Sequence, residues 1–302
     1  MATPDQDIGK DAVLQKGWIE AYKWLTLRRF SQVAILAMFM SGPWFGVWVL
    51  KGNIASSELL NTVPMTDPLL FLQMLAAGFF GIATPALIGA AVIAVFFLIA
   101  GGRVYCSWVC PMNFVTDAAY WVRRRLSIKS NTHISRNIRY WILGMVLIVA
   151  ALTGTLAYEL VNPVSVLYRG LIFGMGAGWA VVLGIFLFDL FVLQRGWCGH
   201  VCPMGAAYAL IGRGSLVRAR ADRREACDNC MECFAVCPEP HVISPALRGK
   251  DSTATVIYSG DCTNCGRCID ICPEDVFNFG LRFPAVRQPQ EWITPAEGKA
   301  GT

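Results

Sequence analysis

The chain has 302 residues, of which 55% are apolar and only 16% charged, and its formal net charge is +5. A soluble domain usually carries about 25% charged residues, so the deficit reads as a membrane signal. The cations cluster beside apolar segments, a pattern that suits an anionic lipid bilayer and argues against nucleic acid as a partner.

Residues 1–29 form a polar segment that ends basic, with Lys16, Lys23, Arg28 and Arg29. No short apolar stretch with a small-residue cleavage site precedes them, so no cleaved signal peptide is expected. The first apolar run covers about 30–50, contains Pro43 and ends in the Trp-rich stretch 44–48, which suits a membrane interface. Residues 68–102 are uncharged. A spanning helix needs roughly 20 residues, which places a span at about 83–102 with an interfacial or partly buried helix over 69–80 before it. Further runs cover 140–158 and about 170–193. The predicted fold is therefore an α-helical membrane protein, with four transmembrane helices in a domain spanning 30–215. Arg28 and Arg29 precede the first run. Arg103, Arg123, Arg124, Arg125, Lys129, Arg136 and Arg139 follow the second, and Arg195, Arg213, Arg218 and Arg220 follow the fourth. The other two loops hold only Lys51 and Arg169 as cations. The positive-inside rule then predicts a multi-pass protein of the bacterial inner membrane with both termini cytoplasmic.

Two short motifs repeat within that domain. Residues 103–112 read RVYCSWVCPM and residues 195–204 read RGWCGHVCPM. Each Cys-x₃-Cys is followed by Pro111 or Pro203, at a place where a first helical turn tolerates proline. The membrane domain thus reads as a two-helix pseudo-repeat. Spacing of four puts Cys106 with Cys110, and Cys198 with Cys202, on one face of a helix. Through the repeat the pairs can meet and offer four thiolates. Buried inert cysteine is the plain alternative; a cluster, a copper site and a dithiol all fit the spacing.

The remaining eight of the 12 cysteines lie in a domain predicted over 216–285, before a tail over 286–302. Cys227, Cys230, Cys233 and Cys237 precede Pro238, and Cys262, Cys265, Cys268 and Cys272 precede Pro273. Both quartets read C-x₂-C-x₂-C-x₃-C-P, the pattern of bacterial two-cluster ferredoxins, in which the fourth cysteine serves the other cluster. Zinc normally uses two separated pairs. An α+β ferredoxin-like domain with two [4Fe–4S] clusters follows. Cys227, Cys230, Cys233 and Cys272 are expected to hold one, and Cys262, Cys265, Cys268 and Cys237 the other.

No Cys-x-x-Cys-His occurs, and His133, His200 and His241 all fall outside the predicted spans, so no haem is expected. Asp189 is the one carboxylate inside a predicted span and is a candidate for quinol or proton chemistry; pairing with Arg195 is the plain account. His200, between Cys198 and Cys202, is a second candidate as a proton acceptor near neutral pH. Glu159 and the Asn162-Pro163 turn could border a quinone pocket. Trp108, Trp121, Trp141 and Trp197 read as interface anchors.

The stretches SGPWFGVWVL at 41–50, CSWVCP at 106–111, ALTGTLAYELVNPVS at 151–165, WCGHVCPMGA at 197–206 and CFAVCPEPHV at 233–242 resemble the NapH family. These are membrane ferredoxin-type subunits of the periplasmic nitrate reductase system. The resemblance implies a quinol dehydrogenase component that takes electrons from quinol, works with a periplasmic polyferredoxin of NapG type, and serves nitrate reductase. A membrane multihaem cytochrome is an alternative partner for carrying electrons onward. A redox assembly or maturation factor, reducing a metal for a respiratory enzyme, is the competing function class.

Overall fold

The structure, a computed structural model, describes residues 8–283 apart from 61, 129–131, 133, 175, 177 and 250–254. Lys129, His133 and the tail over 286–302 lie outside the described residues.

The N-terminal half is a helical body built around the two Cys-x₃-Cys-Pro motifs. Helix Lys23–Phe45 buries Arg28, Gln32 and Phe39 against it. Three short antiparallel strands follow, Leu50–Gly52, Ser56–Leu59 and Val63–Thr66, in that order across the sheet. Hydropathy did not announce them, because they are only three or four residues long and partly exposed. The last strand lies tight on helix Ala83–Ala100: a Cβ at Gly89 would come within 2.9 Å of Thr66 N. Asp67 then caps helix Pro68–Ala76, accepting from Leu69 N at 2.8 Å and Leu70 N at 3.2 Å. Of the two readings of the segment over 69–80, the partly buried helix is the one observed: it buries Leu69, Leu70 and Gln73 and ends at Ala76.

The expectation of four membrane-spanning helices is not met. Among the described residues no helix is long and apolar enough to cross a membrane. Helix Ala83–Ala100 has 18 residues and rises about 27 Å, against a hydrocarbon core about 30 Å thick. Helix Ile138–Thr153 is shorter still, at 16 residues. The run over 170–193 breaks into helices Pro163–Phe173 and Gly178–Leu187 and a π turn, Phe188–Val192. Helix Lys23–Phe45 is long, but Lys23, Arg28, Arg29 and Gln32 stand in its first half. The multi-pass inner-membrane assignment, with cytoplasmic termini and ferredoxin domain, falls with the spans. Large apolar side chains do stand exposed on several of these helices, Phe96, Leu152 and Phe173 among them.

The cations used to orient the chain also do other work. Arg28, Arg103, Arg123, Arg139, Arg195 and Arg218 are all buried. Arg123 donates to Leu190 O at 2.8 Å, and Arg218 to Ser259 O at 2.8 Å. A guanidinium in a loop reads as a topological marker in sequence; here most serve as internal cross-links.

The C-terminal half is closed by strands Val217–Arg220 and Asn278–Leu281, antiparallel, with Val217 opposite Leu281 and Arg220 opposite Asn278. Between them lie the two quartets and helix Ile243–Arg248, packed on a core of Ala219, Ile243, Ala246, Ile257, Val276 and Phe277. Helix Pro203–Gly212 meets both its own half, at Gly102, and the C-terminal half, at Gly260, backbone to backbone. A Cβ at Gly102 would collide with Tyr208 O and Gly212 N, and one at Gly260 with Ala209 O. Glycine is required there because helix Pro203–Gly212 passes directly beneath both segments.

Candidate iron–sulfur centres

The two quartets fold alike. Helix Glu232–Val236 ends at Cys237, and helix Arg267–Ile271 ends at Cys272. Between the first and second cysteines, Asn229 and Asn264 have φ of 63° and 44°; between the second and third, Met231 and Gly266 have φ of 68° and 73°. Alternating left-handed residues turn successive backbone N–H groups inward, which is the anion-binding nest found at many iron–sulfur sites.

One cavity is lined by Cys227, Cys230, Cys233 and Cys272, with Phe234, Leu247 and Phe277, and encloses about 330 Å³ of space between atoms. A second is lined by Cys237, Cys262, Cys265 and Cys268, with Val242, Ile243 and Ile257, and encloses about 380 Å³. Each gathers three cysteines of one quartet and the fourth of the other. Among the described residues no three or more His, Cys, Asp or Glu converge on a single metal ion. A lone zinc needs every sulfur about 2.3 Å from one point, whereas a cubane spreads its thiolates over four separate irons. The donor set therefore fits the cluster.

The Cys-x₃-Cys-Pro motifs are not α-helical, as the spacing suggested, but π turns. Cys110 N donates to Tyr105 O, and Cys202 N to Trp197 O, each at 2.9 Å. The backbone then extends at Cys110 (φ −65°, ψ 120°) and Cys202 (φ −67°, ψ 116°) before each proline. The repeat seen in sequence is thus a repeat of conformation, and π turns occur frequently at functional sites. Burial pushes all four thiols up; Cys202 is raised further by Cys106, and Cys110 and Cys198 by their neighbours in the set. Stacked Tyr105 and Tyr208, 4.7 Å between ring centres, pack in the same core as Cys110.

The motifs are bolted to the ferredoxin loops. Arg103, three residues before Cys106, donates to Glu239 Oε1 at 2.8 Å, Asp261 O at 3.0 Å and Cys198 O at 2.8 Å. Its counterpart in the repeat, Arg195, donates to Val236 O at 2.7 Å. Ser107 Oγ donates to Thr263 O at 2.8 Å and Trp108 Nε1 to Asn264 O at 3.0 Å. Trp108 is therefore a docking side chain, not an interface anchor. Trp121 and Trp141 are exposed. Where the first motif has Ser107 the second has Gly199, whose Cβ would lie 3.1 Å from Glu239 Oε1. Glu239 was missed in the sequence: an acid after Cys-Pro occurs in both quartets and nothing marks one for burial.

The single candidates resolve differently. Asp189 is buried, and its Oδ1 accepts from Trp197 N at 2.9 Å, while Arg195 pairs with Asp117. It thus braces the turn that carries Cys198, and burial pushes its carboxyl up to about 7. His200 is also buried; burial, with Arg136 and Arg139 beside it, lowers its imidazole to about 4, so it stays neutral near pH 7. Glu159 accepts from Ser165 Oγ at 2.8 Å and from Asn162 Nδ2 at 3.1 Å, and Asn162 caps helix Pro163–Phe173. Those side chains are engaged with each other and line none of the cavities described here.

Residues 226–276 match the 4Fe-4S dicluster domain family, and residues 82–129 and 172–223 each match the 4Fe-4S binding domain family. The latter two segments carry one Cys-x₃-Cys-Pro each. The chain is 49% identical to the ferredoxin-type protein NapH of Escherichia coli, over 94% of this chain and 98% of that one. The chain belongs to the NapH family. NapH of Haemophilus influenzae is 50% identical over 94% of this chain and 98% of its own length. The methylamine utilization ferredoxin-type protein MauN of Paracoccus denitrificans is 54% identical over 83% of this chain and 87% of its own. No solved structure matches. As a NapH-family chain it is a ferredoxin-type iron–sulfur protein of electron transport.

Proposed function

We propose that this chain is a multi-centre electron relay with two [4Fe–4S] clusters, one held by Cys227, Cys230, Cys233 and Cys272 and the other by Cys262, Cys265, Cys268 and Cys237. The observation that carries the reading is the pair of cavities, each lined by three thiols of one quartet and the last of the other. The clusters supply one-electron storage; the protein supplies thiolates, inward N–H groups and exclusion of water. Cys106, Cys110, Cys198 and Cys202 form a further redox or metal centre. Their support is the duplicated π turn and the family match over both segments.

Quinol is the donor in this reading, and a periplasmic polyferredoxin of NapG type, or a multihaem cytochrome, takes the electrons onward to nitrate reductase. The shared length with NapH proteins, 94% of this chain, supports the nitrate branch. The test begins with anaerobic purification and iron and sulfide determination, where about eight of each are expected for two cubanes. A deletion strain then decides the branch. Loss of periplasmic nitrate reduction with intact growth on methylamine supports the assignment, and the reverse pattern overturns it.

A further inference from the structure

Arg28 is fully buried, and none of its three guanidinium nitrogens has a hydrogen-bond partner among the described residues. An unpaired buried cation costs several kcal/mol, so a compensating anion belongs beside it. The guanidinium lines a cavity of about 420 Å³ together with Cys265, Arg267, Arg195, Arg103 and Asp117. Asp117 makes no hydrogen bond to Arg28 and is shared by three other guanidinium groups: it accepts from Arg267 at 2.6 Å and Arg29 at 2.5 Å, and pairs with Arg195 at 3.4 Å. Glu239, on the same wall, is taken by Arg103, Arg136 and Arg139, which leaves the thiols of Cys106, Cys198 and Cys265 with whatever they ligate, and of these Cys265 is the one assigned to a cubane.

The other quartet has the opposite surroundings. Arg267 sits between Cys265 and Cys268; the equivalent position between Cys230 and Cys233 is Glu232, also buried, with Oε1 unpartnered. Asp228 lines that cavity, where Thr263 stands in the second. The cations near the first quartet are of another kind: neither Lys16 nor Arg248 is a fully buried, unpartnered guanidinium, and Arg248, which lines that cavity, is open to solvent. Lys16 pairs with Asp275, and Arg248 lies exposed at Asn229 and Met231.

We infer that Arg28 is the counter-charge of the second-quartet cluster, and that it makes this cluster the higher-potential of the two. The inference rests on the cluster assignment proposed above. Reduction adds one electron to a cluster and forms or breaks no bond. A fixed cation beside one cluster and a carboxylate beside the other therefore bias where that electron resides. Electrons thus settle on the cluster whose loop contacts the first Cys-x₃-Cys-Pro motif.

The test is an anaerobic dithionite titration of the full chain in mediators, followed by electron paramagnetic resonance. Cys230→Ser and Cys265→Ser assign the two signals. Arg28→Gln should lower the reduced-to-oxidised ratio of the second-quartet cluster at least tenfold at fixed potential, a 59 mV fall for a one-electron couple. The first-quartet cluster should stay put, and Arg28→Lys should restore most of the shift. Unchanged potentials in Arg28→Gln, an equal shift of both clusters, or no rescue by lysine would overturn the inference. Should Arg28→Gln fail to assemble, Asp117→Asn decides: removing that carboxylate should raise the second-quartet potential, and no rise overturns the inference. Two loaded clusters with potentials indifferent to these changes would leave the cluster assignment standing, whereas an unmodified protein without clusters would sink both.

Discussion

Glu239 Oε1 accepts a hydrogen bond from Arg103 Nη1 at 2.8 Å, so a residue two places after Cys237 is tied to a residue three places before Cys106. Glu239 is 2% exposed and Arg103 is 1% exposed. Arg136 and Arg139 also reach this carboxylate. One acid thus joins a ferredoxin quartet to the turns that carry the other four thiols.

Glu239→Gln keeps the shape and removes the charge. Breaking one side of a buried ion pair typically costs about 3–5 kcal/mol, and here it would leave the fully buried Arg103 without its carboxylate, while Arg139 keeps Asp261. The urea midpoint of the anaerobic protein should fall accordingly. Glu274 holds the equivalent place after Cys272 and accepts a long, exposed bond from Gln15. Glu274→Gln should therefore change stability by less than about 1 kcal/mol. Equal effects of the two substitutions would show that burial of Glu239 carries no special weight.

Cys237→Ser separates crossed from uncrossed ligation. Cys237 lines the cavity of Cys262, Cys265 and Cys268, so the damaged signal should be that of the second quartet, with the other cluster intact. Loss of the first-quartet signal instead would reverse the assignment.

The quartets were legible because a cubane fixes both residue type and spacing, and the repeat because six of ten residues recur in register, both cysteines and the proline among them. Charge misled. Arg28, Arg103, Arg139 and Arg195 look in sequence like loop cations of a membrane protein, and each is buried against an acid, a carbonyl or a cluster cavity. Nothing in composition distinguishes a cation facing lipid headgroups from one facing Glu239. The long apolar runs misled likewise, because the break at Gly174 and the π turn at Phe188 divide the run over 170–193 among three short elements. Spacing of four favoured a helix over the π turns, whose defining bond from residue 110 to residue 105 leaves no mark in the residue pattern.

Replacing both Cys106 and Cys198 by Ser tests the centre at the motifs. Both residues line the cavity that reaches Cys265, but neither lines a cavity assigned to a cubane. Iron content and signals of the two ferredoxin clusters should persist, while the rate of cluster reduction by quinol falls at least tenfold. Undiminished reduction in the double variant would make these four thiols packing residues.

Asp67 makes stability depend on pH. Its Oδ1 accepts from Leu69 N and Leu70 N, and its Oδ2 lies 2.6 Å from the Tyr208 hydroxyl, in a core that also holds Cys110. Burial pushes the carboxyl up to about 6, with the Tyr208 hydrogen bond pulling the other way. A carboxyl raised in the folded state binds its proton more tightly there than in the unfolded chain. Its contribution therefore favours folding at low pH and is lost as pH rises from the unfolded value toward the folded one. Between pH 5 and pH 7 the loss should be about 1 kcal/mol, measured as a fall in the urea midpoint of the anaerobic protein. Asp67→Asn keeps an acceptor for the two helix N–H groups and cannot ionise, so its midpoint should be flatter across the same interval. A variant as pH-dependent as the parent would assign the titration to another group; a parent midpoint that rises with pH would mean that Asp67 is ionised and stabilised by partners beyond Tyr208 and the helix cap.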